Sequence, residues 1–521
     1  MKRCDHLPMR DANPGKIRTV RALVAAFRRE APGVAADQWR RFFETGRFAK
    51  NVPAAEEAAS PQLRCAKETL GAARLQMLRY QVVGTLESFI ENRANEFRSA
   101  VVRSSLKDDV RHQLLVINRL HAWFGREPIT MRGAVAPIAP ETRALARAIM
   151  RGVMRRHRRP SWRNLHPWID IRGAKLGDAE RAAHAPLWLD LGLLDRARTK
   201  RGTPGKTYAT VALPLGDYAF WRARDAAGAR VTTVQIIDRD GEISIGVVTD
   251  MTVPFGESRK AYAPLREELA LDFGLSTMFA TPDGDLLGRA WFEQLKLHDR
   301  RIAGLARTLQ KQGIRPNRSR RYRARVAAFR GFLKTEIGRV LNRLVALKKP
   351  AHLVLERLDF RAPGLSRRLN RILARSGRAV IRAKLKDFEE RFGITWAEVN
   401  PAYSSQTCSK LSCGYVDKAN RRSQSKFACR ACGHAIHADV NAARNLEGGR
   451  SAFDRSARLT KAESLHLTVT RHLERLAARD RVISADRYRQ NRYFSGLAGA
   501  GSDIPLPRIR PPDVVADVSA G

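Results

Sequence analysis

Three acidic residues, Asp272, Glu356 and Asp439, stand in contexts that suit metal-dependent chemistry. Leu269-Ala270-Leu271-Asp272-Phe273-Gly274 reads as a buried strand bearing one carboxylate, and His352-Leu353-Val354-Leu355-Glu356 reads as a second. Asp439 lies in His437-Ala438-Asp439-Val440-Asn441-Ala442-Ala443-Arg444-Asn445, where a helix starts. A carboxylate inside an apolar strand is costly unless it is paired or bound to a metal. Carboxylates converging from separate elements can hold two Mg²⁺ ions about 4 Å apart, which neutralise the attacking and leaving oxygens of a phosphodiester. Taken singly, each residue has an ordinary reading. Glu356 also suits a strand end paired with Arg357, and Asp439 suits a helix N-cap. Asp283 and Asp359 lie close by, but each falls past its strand. Taken in this order, around a cysteine module, the three point to one metal-binding cluster.

That module is Cys408-Ser-Lys-Leu-Ser-Cys413-Gly414 followed by Cys429-Arg-Ala-Cys432-Gly433, with 15 residues between the two pairs. Four thiolates so spaced suit a structural Zn²⁺ ribbon, closed to substrate because every coordination position is filled. His434 and His437 are reserve ligands, and two disulfides are the competing arrangement, disfavoured in a reducing cytoplasm. Arg421, Arg422 and Lys426 lie between the pairs and suit contact with a nucleic-acid backbone.

The elements around these residues follow from local pattern. A strand carrying Asp272, with a turn at Pro282-Asp283-Gly284-Asp285 soon after, is how an RNase H-like sheet opens. Helical segments are expected around Trp291–Gln312 and Arg320–Lys348, and an amphipathic one over Leu365–Arg391. Arg318, Arg320, Arg321, Arg323 and Arg325 crowd around Tyr322, either as a phosphate-gripping face or as a solvated one. Further upstream, residues 1–160 read as mostly helical. Arg155, Arg156, Arg158 and Arg159 precede Trp162 there, a mixture that suits backbone neutralisation with base stacking, or equally a solvated helix end beside core tryptophans. From about Thr207 to Asp250 the pattern turns to strands, with Asp240-Gly241 marking a hairpin. After Arg450 come one or two helices and a Gly/Ala/Pro-rich tail expected to be disordered.

Composition sets the partner class. The 521 residues carry 96 Lys and Arg against 52 Asp and Glu, a net charge of +44 that calls for a polyanion. No apolar run of about 18 residues is present, so a membrane partner is not expected. Met1-Lys2-Arg3-Cys4 leads into polar residues rather than an apolar segment, and the expected location is the bacterial cytoplasm.

Leu271-Asp272-Phe273-Gly274-Leu275, Leu353-Val354-Leu355-Glu356, Val399-Asn400-Pro401-Ala402-Tyr403-Ser404-Ser405-Gln406-Thr407-Cys408, Cys429-Arg430-Ala431-Cys432-Gly433 and the Asp439 block together resemble the RuvC nuclease domain of TnpB proteins and compact type V CRISPR effectors. The resemblance covers about Arg266–Leu446. It implies that Asp272, Glu356 and Asp439 are catalytic Mg²⁺ ligands, and that Cys408, Cys413, Cys429 and Cys432 hold Zn²⁺. It further implies a guide RNA and a double-stranded DNA target as partners, with sequence read by base pairing. The expected fold is multidomain α+β: a helical recognition lobe (1–165), a β-rich wedge domain built as a small β-barrel (166–262), and an RNase H-like (RuvC) α/β nuclease domain (263–404). An inserted Cys4 zinc ribbon (405–436), the end of RuvC with C-terminal helices (437–495) and a disordered tail (496–521) follow. The first pair is Cys-x4-Cys where the family commonly has Cys-x2-Cys. The chain is also longer than a typical TnpB, which favours a CRISPR-type effector.

The expected function is thus an RNA-guided, Mg²⁺-dependent DNA endonuclease with a single RuvC site. The alternatives are an RNA-guided DNA-binding protein that represses without efficient cutting, and a transposon-encoded TnpB-type nuclease. A transposase would need an end-binding helix-turn-helix that the sequence does not clearly offer. A basic structural RNA-binding protein would leave the buried carboxylates unexplained.

Overall fold

The computed structural model describes residues 1–125, 128–131, 134–135, 138–178, 185, 187–198, 204–239, 241–274, 277–356, 366–400, 402–447, 460–479, 488 and 490–494. Arg357, Asp359, Asp240 and the tail expected to be disordered lie outside the described residues. The chain divides into two compact units, Met1–Pro254 and Phe255–Gly521.

In the first unit, helices Pro14–Thr45, Pro61–Leu70, Ala72–Val102, Asp108–Arg119 and Pro140–Arg155 share one apolar core with two antiparallel sheets. The long first helix is bounded by local chemistry. The Asn13 side chain accepts from the Lys16 amide with Pro14 opening the first turn, and Gly46 closes the helix at φ 78°. Lys2–Pro8 falls in the stretch expected to be mostly helical, yet it is a strand. It pairs with Glu242–Asp250, which pairs in turn with Ala229–Arg239. The expected hairpin is present, with Arg239 opposite Glu242 and Gly241 at φ 88°, a left-handed conformation that favours glycine. The second sheet joins Ala174–Asp178, Leu187–Arg198 and Pro204–Leu215. Among the described residues no helix is long and apolar enough to cross a membrane.

The second unit is built on a five-stranded sheet in the order Leu286–Arg289, Thr277–Ala280, Arg266–Phe273, Pro350–Glu356, Thr395–Val399. The first three strands run antiparallel, and the last two lie parallel to Arg266–Phe273. Side chains alternate across a strand, so the two faces separate by parity. Leu269, Leu271, Leu353 and Leu355 pack with helices Trp291–Lys311, Arg320–Lys348 and Arg367–Phe392. Ala270, Val354 and Val399 face the other way and meet Leu446 of helix Ala438–Leu446. Asp272 shares parity with Ala270, and Glu356 with Val354. Both carboxylates therefore point to the face covered by the helix that carries Asp439. The cysteine segment contributes the small antiparallel pair Lys426–Ala428 and Ala435–His437, and helix Lys461–Ala477 packs beside it through Val469.

Candidate active site and cysteine cluster

Asp272 and Glu356 end neighbouring parallel strands one residue beyond the pair Leu271–Leu355. The carboxyl edge of a parallel sheet is where ligands of such folds bind. Asp439 comes to them from above, in the first turn of its helix. Its ordinary reading as an N-cap fails. His437 is the cap, its Nδ1 accepting the Asp439 amide at 3.3 Å. The three carboxylates line one cavity of about 240 Å³ together with Phe273, Gly274, Ser404, Ser405, Arg421 and Gln424. Asp283 is excluded from this group, because it accepts from Arg266 and Lys348, each at 2.8 Å.

Crowding three carboxylates out of water costs free energy, and the charges show it. Burial, then the neighbouring charges of Glu356 and Asp439, raise Asp272 well above its ordinary range. Burial and Asp439 push Glu356 up to about 7, against a hydrogen bond from the Phe273 amide that pulls it down. Burial raises Asp439 as well, opposed first by Arg421. Arg421 Nη2 lies 3.3 Å from Asp439 Oδ1 and donates to the Gln424 carbonyl at 2.9 Å. The sequence offers Arg421 as a backbone-binding surface residue; the structure turns it into the carboxylate cavity. Its neighbour Arg422 is exposed.

Gly274 keeps the cavity open. A Cβ on it would sit 2.7 Å from the Thr277 carbonyl oxygen and 3.2 Å from Asp439 Oδ2. The backbone oxygen cannot yield as a side chain could, so any larger residue displaces the strand end that carries Asp272.

Glu356 supplies a pH test. Its proton is held more tightly in the folded chain, at about 7, than at the usual 4.5. Below about pH 4.5 both states hold the proton and the carboxylate costs nothing; the cost grows between 4.5 and 7 and is complete above 7. Without Mg²⁺, Glu356→Gln is expected to stabilise the protein by about 3 kcal/mol at pH 8, an advantage that shrinks towards zero as the pH falls to 4.5. Chemical denaturation of the zinc-loaded protein in Mg²⁺-free buffer at several pH values measures it. Equal stability of the two proteins at pH 8 would show that Glu356 is not a strained buried acid.

The helix motif around Asp439 divides its work by angle. Residues two apart lie on opposite sides of a helix, and residues four apart lie on one side. Asp439 faces the carboxylates. Asn441 Nδ2 and Asn445 Nδ2 instead donate to the Thr407 carbonyl at 2.8 and 2.7 Å, and Asn445 also reaches the Ser404 carbonyl at 2.8 Å. Arg444 Nε donates to the Pro282 carbonyl at 2.8 Å. The helix is thereby tied to the loop that leads into Cys408. The spacing of the two asparagines was a readable signal for this anchoring, which sequence reasoning did not use.

Cys408, Cys413, Cys429 and Cys432 present sulfurs that all lie within 4.8 Å of one another, a group able to hold a metal ion. The Cys408–Cys432 and Cys413–Cys429 separations are 3.7 Å, far beyond the roughly 2.05 Å of a disulfide. A tetrahedral site with Zn–S bonds of about 2.3 Å has edges of roughly 3.8 Å, so the thiols fit Zn²⁺ as they stand. Each pair ends in a glycine with positive φ, Gly414 at 70° and Gly433 at 72°. The cluster does not draw on His434 or His437.

None of the arginines at 155–159 and 318–325 offered as nucleic-acid contacts is among the described residues that line the carboxylate cavity. Arg155, Arg156, Arg158 and Arg159 are exposed, the Arg159 guanidinium stacks over Trp39 at 4.9 Å, and Trp162 packs partly buried against the first core. Arg318, Arg320, Arg321, Arg323 and Arg325 are exposed, while Tyr322 is buried in the second unit's core.

Comparison with known proteins adds four findings. The family profile described as "Cas12f1-like, TNB domain" matches residues 379–446, the stretch that contains the four cysteines and Asp439. The CRISPR-associated endodeoxyribonuclease Cas12f1 of Sulfoacidibacillus thermotolerans is 49% identical over 57 residues, 11% of this chain and 13% of that protein. InsQ of Escherichia coli (strain K12), provisionally described as an RNA-guided DNA endonuclease, is 24% identical over 297 residues, 53% of this chain and 71% of InsQ. The chain therefore matches about an eighth of the length of that Cas12f1. A solved Cas12f1–sgRNA–target DNA complex covers 87% of this chain and 99% of its own, at 13% identity and a TM-score of 0.40, an overlay too loose to establish a common fold. The sequence matches support the resemblance to TnpB proteins and compact type V effectors.

Proposed function

We propose that the chain is an RNA-guided DNA endonuclease that cuts with one RuvC site in its second unit. The observation that carries this reading is the convergence of Asp272, Glu356 and Asp439, from two strand ends and one helix, on a single cavity. The sheet order, with the Asp272 strand between an antiparallel hairpin and two parallel strands, agrees with an RNase H-like domain. Hard carboxylate oxygens in a polar cavity fit Mg²⁺, which keeps several of its waters. Two such ions would neutralise charge on the attacking and leaving oxygens of a phosphodiester. Asp272, Glu356 and Asp439 would hold them, giving up in exchange the protons that crowding favours. Arg421 supplies a fixed positive charge at the same cavity, placed to attract a strand phosphate and to steady Asp439. The four thiols would hold a structural Zn²⁺ whose closed shell leaves no position for substrate.

Guide RNA and double-stranded target DNA are the partners, in keeping with the +44 charge. The exposed arginines at 155–159 and 318–325 serve phosphate backbones, and the first unit's helices and sheets serve as recognition lobe and wedge. The experiment is sequencing of the RNA that co-purifies with protein expressed from its own locus. A discrete structured RNA ending in a variable segment is expected. Segments from a repeat array make the protein a CRISPR effector, and segments from a transposon end make it TnpB-like. Bulk ribosomal or transfer RNA alone would contradict guided targeting.

A further inference from the structure

The two cysteine turns are supported differently. The second closes on itself: the Cys429 amide donates to the His434 carbonyl at 2.9 Å, and the Gly433 amide to the Cys429 carbonyl at 3.0 Å. The first turn has four residues between its cysteines and a bond of its own, from the Cys413 amide to the Lys410 carbonyl at 2.8 Å. It is held at two further places by residues that follow the stretch 379–446 matched by the family profile. One place is the Cys413 carbonyl, which lies 2.7 Å from Nδ1 of His472 on helix Lys461–Ala477. A carbonyl oxygen only accepts, so Nδ1 carries the proton and donates. His472 is fully buried, and its Nε2 lies 3.3 Å from the Tyr488 hydroxyl. The other place is Tyr415. Its amide donates to Cys413 Sγ at 3.5 Å and its carbonyl accepts from the Cys408 amide at 2.9 Å, so it touches both cysteines of the pair. Asn491 Nδ2 in turn donates to the Tyr415 hydroxyl at 2.9 Å and to the Val416 carbonyl at 2.7 Å. Phe494 stacks on the Tyr415 ring with centroids 5.5 Å apart. The helix lies hard against this turn, because a Cβ on Gly414 would come within 2.7 Å of Arg475 Nη1.

We propose that His472 and Asn491 are positioning residues for the metal, holding the first cysteine turn in the shape that brings Cys408 and Cys413 to the ion. The assignment rests on the reading of the four thiols as a Zn²⁺ site. The reason is geometric. A turn with four intervening residues has more backbone freedom to lose on ligation than a turn with two. A partner that fixes the turn beforehand takes that loss out of metal binding. His472 fixes the carbonyl of one ligand residue, and Asn491 fixes the tyrosine that bonds to both. Groups that orient metal ligands in this way account for about 10–100-fold in affinity. The C-terminal helix and the segment at 488–494 thus belong to the metal site, although neither supplies a ligand.

The test uses the full-length protein and the variants His472→Phe, His472→Asn and Asn491→Leu, with Zn²⁺ and Co²⁺ as probes. Zinc affinity is measured by competition with a chromophoric chelator, and Co²⁺ absorption reports the geometry of the thiolate shell. His472→Phe keeps an aromatic ring in the core but removes the donor to Cys413. It is expected to weaken zinc binding about tenfold or more and to alter the cobalt d–d bands. His472→Asn, whose side-chain amide can take the place of Nδ1, should recover most of the lost affinity. Asn491→Leu should weaken zinc binding in the same direction, and it decides the matter if His472→Phe does not fold. Native affinity and native cobalt bands in folded His472→Phe and Asn491→Leu proteins overturn the proposal while leaving the zinc site standing. Equal losses in His472→Phe and His472→Asn would assign the effect to packing and likewise overturn it. Native protein that takes up no zinc would overturn both readings.

Discussion

Asp272→Ala is expected to bind guide RNA and target DNA as the native chain does, and to lose Mg²⁺-dependent cleavage by about a thousandfold or more. The size follows from the chemistry. Metal neutralisation of a phosphoryl transition state is worth several kcal/mol, and each 1.36 kcal/mol is a factor of ten in rate. Asp272 lies near the end of the central strand, between the hairpin and the Glu356 strand. Its removal should not weaken the fold. Burial and the charges of Glu356 and Asp439 make the Asp272 carboxylate a source of strain in the metal-free protein, and the alanine relieves it. Metal-free Asp272→Ala protein should therefore unfold no more easily than the native chain at pH 8, even as cleavage vanishes. Retained cleavage in this variant would remove the three-carboxylate site from the account.

Cys429→Ser is expected to have the largest effect on stability. Zinc binding by structural sites contributes about 10–16 kcal/mol, so the loss of one of four thiolates removes roughly 3 kcal/mol, about a hundredfold in zinc affinity. The Cys429 amide donates to the His434 carbonyl at 2.9 Å, and the Gly433 amide to the Cys429 carbonyl at 3.0 Å, so this cysteine also organises its own turn. The damage should spread. Cys408 follows Thr407, whose carbonyl receives both Asn441 and Asn445, and the helix so anchored carries Asp439. Lower zinc content should therefore come with a lower unfolding temperature and with reduced cleavage, although no cysteine is among the described residues that line the carboxylate cavity. Metal analysis of the purified variant decides the matter. One full equivalent of zinc retained after dialysis against chelator would contradict the four-thiolate site.

What the sequence made legible was the chemistry with strict spacing. Asp272 and Glu356 stood out because each interrupts an apolar strand; the register that pairs Leu271 with Leu355 is what places them on one face. The cysteines stood out because their two turns fix the intervals. Asp439 was readable from the motif around it, although its capping alternative fell only once His437 was seen to cap the helix. Less local features stayed hidden. Lys2–Pro8 finds its partner in Glu242–Asp250, more than two hundred residues away, and nothing within its own seven residues states that pairing. Arg421 sat in a basic run that by pattern belongs to solvent or phosphate; only the fold of the turn at 421–424 aims it at Asp439.

The most direct measurement is cleavage of a supercoiled plasmid by the purified protein, loaded with a guide whose variable segment is either matched or unmatched to the target. Cutting is expected with the matched guide and Mg²⁺, with none for the unmatched guide and none in EDTA. Cutting that ignores the guide, or persists without divalent metal, would contradict guided, metal-dependent cleavage.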